Sequence, residues 1–237
     1  MNKKKMAMSI TSVALVGAVV VGGTLAYLSD KSNMVTNTFN VGSGYVPDDD
    51  DHLGLWLDEK DVANPEERTE IGNEYGEMLP GSIVEKDPTF HLTTGSTDSY
   101  VFAQVTGVDA MIADGYYFTV DKPDALTDPE STFNTTNWHQ VMSVTEGGFD
   151  GLYIYYDGED NIVEGGELDE DGQVVTPADE MKALFNWVKL GSGLDNEKFA
   201  EVDPSTVDVR GVAVQSANLT AEQAQVEAEK ILATMPY

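Results

Sequence analysis

Three imidazoles, His52, His91 and His139, are the only nitrogen metal-ligand side chains in the sequence. They are far apart in the chain, and no His-Glu-x-x-His run places two of them on one helix face as a catalytic zinc would require. Packing roles in a β-sheet are expected for His91 and His139. Cysteine is absent, so thiolate nucleophiles, thiolate zinc ligands and disulfides are excluded. No Gly-x-Ser-x-Gly elbow exposes a serine. Carboxylate pairs could perform acid–base chemistry, but among 42 Asp and Glu residues adjacent pairs arise by composition alone. No catalytic residue is assigned.

Calcium is the one cofactor left open. The run Glu167-Leu168-Asp169-Glu170-Asp171-Gly172 sets oxygen donors at positions 1, 3 and 5 and glycine at position 6 of an EF-hand-like loop. Position 12 is Ala178, so the bidentate glutamate is missing. Glu167, Asp169 and Asp171 are therefore candidate calcium ligands, with a hydrated acidic loop as the alternative. The run Asp48–Asp51 and the Asp157–Asn161 turn pose the same choice.

These groups sit in a strongly acidic chain, with 42 acidic against 13 basic residues. Such a surface repels phosphate backbones and anionic headgroups, which excludes nucleic acid as a direct partner. Hydrophobic residues make up 41%, in short alternating runs, so a packed core is available and disorder is not expected.

The elements follow from that alternation. Strands are expected at Leu53–Asp58, Thr89–Thr93, Tyr100–Val108, Tyr116–Val120, Trp138–Val144, Leu152–Tyr156, Ile162-Val163, Leu184–Leu190 and Val207–Gln215. Tyr100–Val108 carries apolar groups on both faces, Val101, Ala103 and Val105 on one and Tyr100, Phe102 and Val108 on the other, which places it centrally in a sheet. Residues 62–75 read as an exposed loop or short helix, Met78–Ser82 as a turn, Glu164–Thr176 as an exposed excursion, and Gly211 as a bulge. Leu219-Thr220-Ala221-Glu222-Gln223 matches a capping box that starts a helix over 220–234, with Ala224, Ala228, Ile231 and Leu232 on its packing side. The fold class expected is mainly all-β, an antiparallel β-sandwich closed by a short C-terminal α-helix.

The N-terminus is organised differently. Lys3, Lys4 and Lys5 precede an apolar run from Ile10 to Val21, then small residues at Thr24 and Ala26. This pattern reads as a signal peptide over 1–26 cut between Ala26 and Tyr27, with an uncleaved membrane anchor as the alternative. Removing it takes three lysines and no acid, leaving 10 basic against 42 acidic side chains and a net charge of −32. The membrane is then a partner only before cleavage. Beyond the cut, Val35, Asn37, Phe39 and Val41 alternate with Met34, Thr36, Thr38 and Asn40 as in a strand. A strand at a free chain end pairs with its own sheet or is donated to a neighbour's.

The segment Gly23–Asp30 (Gly-Thr-Leu-Ala-Tyr-Leu-Ser-Asp) followed by Asn37–Gly42 (Asn-Thr-Phe-Asn-Val-Gly) resembles the TasA/camelysin family of Gram-positive biofilm matrix proteins. Met78–Gly81, Lys86-Asp87-Pro88, Ser99-Tyr100-Val101 and Val212–Ser216 resemble its BsaA-like branch. The resemblance implies processing by a SipW-type signal peptidase and a jelly-roll-like domain over 42–237. It also implies head-to-tail homopolymers in which residues 27–41 complete the sheet of the next subunit. The expected function is thus a secreted structural subunit of extracellular matrix fibres, not an enzyme, located in the matrix or at the cell surface. Two rivals remain: a secreted metal-dependent peptidase, which camelysins are described as but for which no zinc motif is present, and a monomeric calcium-binding surface module.

Overall fold

A computed structural model describes residues 29–31, 35–37, 54–70, 72–73, 75, 78–194 and 206–235. The strands, in chain order, are β1 (Ser29–Lys31), β2 (Val35–Asn37), β3 (Leu55–Lys60), β4 (Arg68–Thr69), β5 (Ile83–Glu85), β6 (Thr89–Leu92), β7 (Ser99–Thr106), β8 (Tyr116–Thr119), β9 (Trp138–Ser143), β10 (Gly151–Tyr155), β11 (Ile162–Val163), β12 (Glu167–Leu168), β13 (Val174–Thr176), β14 (Trp187–Leu190) and β15 (Val207–Gln215). The helices are α1 (Val108–Ala113) and α2 (Ala221–Leu232).

β7 lies at the centre of the largest sheet, ordered β1-β15-β7-β10-β9, with β2 also on β15 and β11 also on β7. Its two apolar faces explain that place, because a strand buried on both sides needs partners above and below. Val101, Ala103 and Val105 point into a core shared with Leu55 and Leu57 of β3, Phe90 of β6, Phe118 of β8 and Val188 of β14. Those partners come from two three-stranded antiparallel sheets, β4-β3-β6 and β5-β14-β8. Tyr100 and Phe102 point the other way, into a second core with Leu152, Ile154, Val212 and Val214 and with Ala224, Ala228 and Leu232 of α2. The result is an all-β antiparallel sandwich with the C-terminal helix packed on its outer face. Each fully buried Val, Leu or Phe contributes about 1.5–3 kcal/mol of apolar burial.

The turns follow their chemistry. Gly81 has φ +87° and the Ser82 N–H donates to the Leu79 carbonyl at 2.8 Å, the type II arrangement that Pro80-Gly81 specifies. Thr220 caps α2: its hydroxyl accepts from the Gln223 N–H at 3.4 Å, and the Gln223 side chain accepts from the Thr220 N–H at 3.0 Å.

Three expectations are corrected. β7 ends at Thr106, and Gly107, at φ +90°, turns the chain so that Val108 starts α1 and joins the core of Val101 rather than that of Phe102. Asp150 enforces the turn by accepting from the N–H groups of Gly107, Val108 and Asp109 at 3.1, 2.8 and 3.3 Å. Gly211 is not a bulge; β15 pairs with β7 without a register shift from Asp208 to Gln215. Its glycine is required because a Cβ there would overlap the Phe90 ring. Lastly, residues 62–75 are not merely exposed: they include β4 and the buried Asn73.

Candidate functional site

Two features of this scaffold bear on function. The first is one flank of β15. β7 bonds to the other flank along nearly its whole length, so any strand added here extends the large sheet at its edge. The N-terminal segment occupies that edge, antiparallel and in two stretches: Ser29 is opposite Val214 and Lys31 opposite Val212, then Val35 is opposite Val209 and Asn37 opposite Val207. The register advances by one residue between the stretches. Of the expected exchange-strand residues, Val35 and Asn37 thus lie in β2 beside the start of β15, whereas Phe39 and Val41, and the cleavage pair Ala26 and Tyr27, lie outside the described residues.

Beneath the start of β15 is a buried charge cluster. Glu59 of β3 is fully buried, Lys86 is 4% exposed and Asn73 5% exposed. Lys86 Nζ donates to Glu59 Oε2 at 2.7 Å, and Asn73 Nδ2 donates to Glu59 Oε1 at 2.7 Å. The Asn73 backbone N–H also reaches Glu59 Oε1, at 2.9 Å, and Asn73 Oδ1 accepts from the Val62 N–H at 2.9 Å. The Tyr75 ring lies 5.8 Å from Lys86 Nζ. Burial lowers the Lys86 pKa, against the opposing pull of Glu59. Burial, and then the Glu59 charge, raise that of Tyr75. Near them Asp208 Oδ1 is buried with no hydrogen-bond partner among the described residues, and desolvation raises the Asp208 pKa despite Arg210 and Lys86.

A more exposed network adjoins this one. Arg68 bridges Asp58 at 2.7 Å and Asp87 at 2.6 Å. His91 reaches the same Asp58 oxygen through Nε2 at 3.0 Å and stacks on Trp56 with centroids 4.1 Å apart. His139, on β9 of the large sheet and so in a different sheet from His91, stacks on Tyr156, and His52 lies outside the described residues. The expected calcium residues fall on the β12–β13 hairpin, where Asp169 Oδ1 accepts from the N–H groups of Asp171 and Gln173 at 2.9 and 2.7 Å and so closes the turn. Among the described residues, no three His, Asp or Glu side chains converge to hold a metal.

The buried trio escaped sequence reasoning because Glu59, Asn73 and Lys86 are separated by loops and two of them are lost in an acidic, polar background. The weak signal available was Lys86 itself, one of few cations, directly preceding Asp87-Pro88.

Residues 1–52 match the family described as camelysin metallo-endopeptidase. The TasA/camelysin resemblance is thereby supported. The camelysin match takes in β1 and β2 and ends before β3, so it covers the segment lying along β15 and none of the sandwich that follows. No curated protein and no solved structure matches the chain. No helix among the described residues is long and apolar enough to cross a membrane.

Proposed function

We propose that this protein is a secreted structural subunit of extracellular matrix fibres, and that residues 27–41 exchange between copies. The observation that carries this reading is the pairing of 29–31 and 35–37 with the flank of β15. A terminal strand held at a sheet edge can leave and re-form the same main-chain hydrogen bonds on the β15 of the next copy. Exchange in this sense is head-to-tail, and a head-to-tail contact that does not close builds a filament. Alternate side chains, Val35, Phe39 and Val41 among them, would then set register. Cleavage between Ala26 and Tyr27 by a signal peptidase would free the segment to move.

The test uses the chain beginning at Tyr27, imaged by electron microscopy beside a version lacking 27–41. Fibres from the first and none from the second, with binding of a synthetic 27–41 peptide to the second, are the expected results. Fibres that persist without 27–41 overturn the reading. The description of the matched family makes casein hydrolysis the control: activity lost to a chelator and restored by zinc would replace this reading with a peptidase.

A further inference from the structure

We infer that Lys86 and Asn73 become joined by an intramolecular amide bond, with Glu59 as the proton carrier that makes it.

The arrangement has every group such a reaction needs. The amine and the carboxamide hold opposite oxygens of one buried carboxylate, each at 2.7 Å. The Val62 N–H, 2.9 Å from Asn73 Oδ1, polarises the carboxamide and stands where negative charge develops as a nucleophile adds to its carbon. Burial lowers the Lys86 pKa and so favours the neutral amine, which is the nucleophilic form. With Lys86 and Asn73 nearly fully buried and Glu59 fully so, little water reaches the ammonium, whose Nζ lies 5.8 Å from the Tyr75 ring.

The step balances without an oxidant or reductant. A proton passes from Lys86 Nζ to Glu59 Oε2, and the nitrogen lone pair adds to Cγ of Asn73. The Cγ–Nδ2 bond breaks as the carboxylic acid gives its proton to Nδ2, and a second proton returns from Nζ to Glu59. Nδ2 leaves as ammonia, Nζ keeps one hydrogen in the new amide, and Glu59 ends protonated. A buried ion pair is thus replaced by neutral groups, which removes the desolvation cost of holding two charges in the core. The bond closes a loop in a secreted-type chain that has no cysteine with which to make any disulfide. It is independent of strand exchange, since all four groups lie in residues 59–86.

Intact mass spectrometry of the purified chain is the test. The expected mass is about 17 Da below that of the sequence, one ammonia. In a tryptic digest, cleavage after Lys86 should be blocked, so that residues 69–86 are not released as a free peptide. Glu59→Gln should restore both the full mass and the cleavage. The full sequence mass in the unsubstituted chain overturns the proposal without reference to any variant. A loss of about 18 Da, one water, overturns it in favour of Lys86 joined to a carboxylate such as Asp208. A Glu59→Gln chain that still lacks the ammonia overturns the role given to Glu59.

Discussion

Gly211 of β15 lies directly against the ring of Phe90 of β6, and a Cβ at position 211 would overlap three atoms of that ring. This contact fixes the spacing between the large sheet and the β4-β3-β6 sheet at its centre, where neither Gly211 nor Phe90 has room to yield: Phe90 is fully buried and also packs on Trp138 at 5.6 Å. Gly211→Ala is therefore an overpacking substitution, although the residue's backbone is ordinary strand. It should lower stability by about 1–3 kcal/mol. Chemical denaturation reads this directly, and Phe90→Leu in the same chain should recover part of the loss by opening the space. A Gly211→Ala chain as stable as the original would show that the sheets separate freely.

That contact also marks where the sequence stops being legible. The strand β7, with apolar residues on both faces, the Pro80-Gly81 turn and the capping box at Thr220 are all local patterns, and each forms as its pattern dictates. Gly211 is not local: a glycine inside a strand looks the same whether it makes a bulge or admits a ring 121 positions away in sequence. The same holds for Glu59, Lys86 and Asn73. Charged residues in an acidic chain read as surface, and only the tertiary fold shows that these three are enclosed.

The cap at Thr220 decides how firmly α2 covers Phe102, Val212 and Val214. Thr220→Ala removes the acceptor for the Gln223 N–H and should cost about 1 kcal/mol, while Thr220→Ser should cost little. Hydrogen exchange in the first turn of α2 is the sensitive measurement. Equal protection in the Ala and Ser chains would mean that packing of Ala224 and Ala228 holds the helix by itself.

Lys189 is a fully buried cation on β14, and its ammonium donates to the carbonyls of Asp124 and Thr127 at 2.9 and 2.7 Å and pairs with Asp128 at 3.0 Å. Lys189→Met keeps the stem's volume but abandons these acceptors, so the 121–131 loop should loosen and stability fall by about 1–3 kcal/mol. Desolvation alone would raise the Asp128 carboxyl. The Ser192 N–H, Lys189, the Ser192 hydroxyl and the Gly193 N–H outweigh it and hold the pKa at about 2. A depressed carboxyl contributes stability above its unfolded value, and that contribution is lost as pH falls through the folded one. Limited proteolysis should accordingly find the loop resistant at pH 4 and cleavable near pH 2 in the original chain, and cleavable at both in Lys189→Met.

Asp208 has the opposite sign. Desolvation raises its pKa in the folded chain, against the attraction of Arg210 and of Lys86 for as long as Lys86 carries its charge, so ionised Asp208 costs stability at neutral pH. That cost should disappear on acidification, from the raised folded value down to the unfolded value of about 3.9. Asp208→Asn should therefore raise the urea midpoint at pH 7, with the difference shrinking as pH approaches 4. The position is also where β2 meets β15, with Asp208 opposite Thr36. If residues 27–41 exchange between copies, relieving this charge should hold the segment more tightly on whichever β15 it occupies, and fibres of Asp208→Asn should resist denaturant better at pH 7 than fibres of the original chain. A midpoint difference that does not change between pH 7 and pH 4 would show that the charge on Asp208 is not its source.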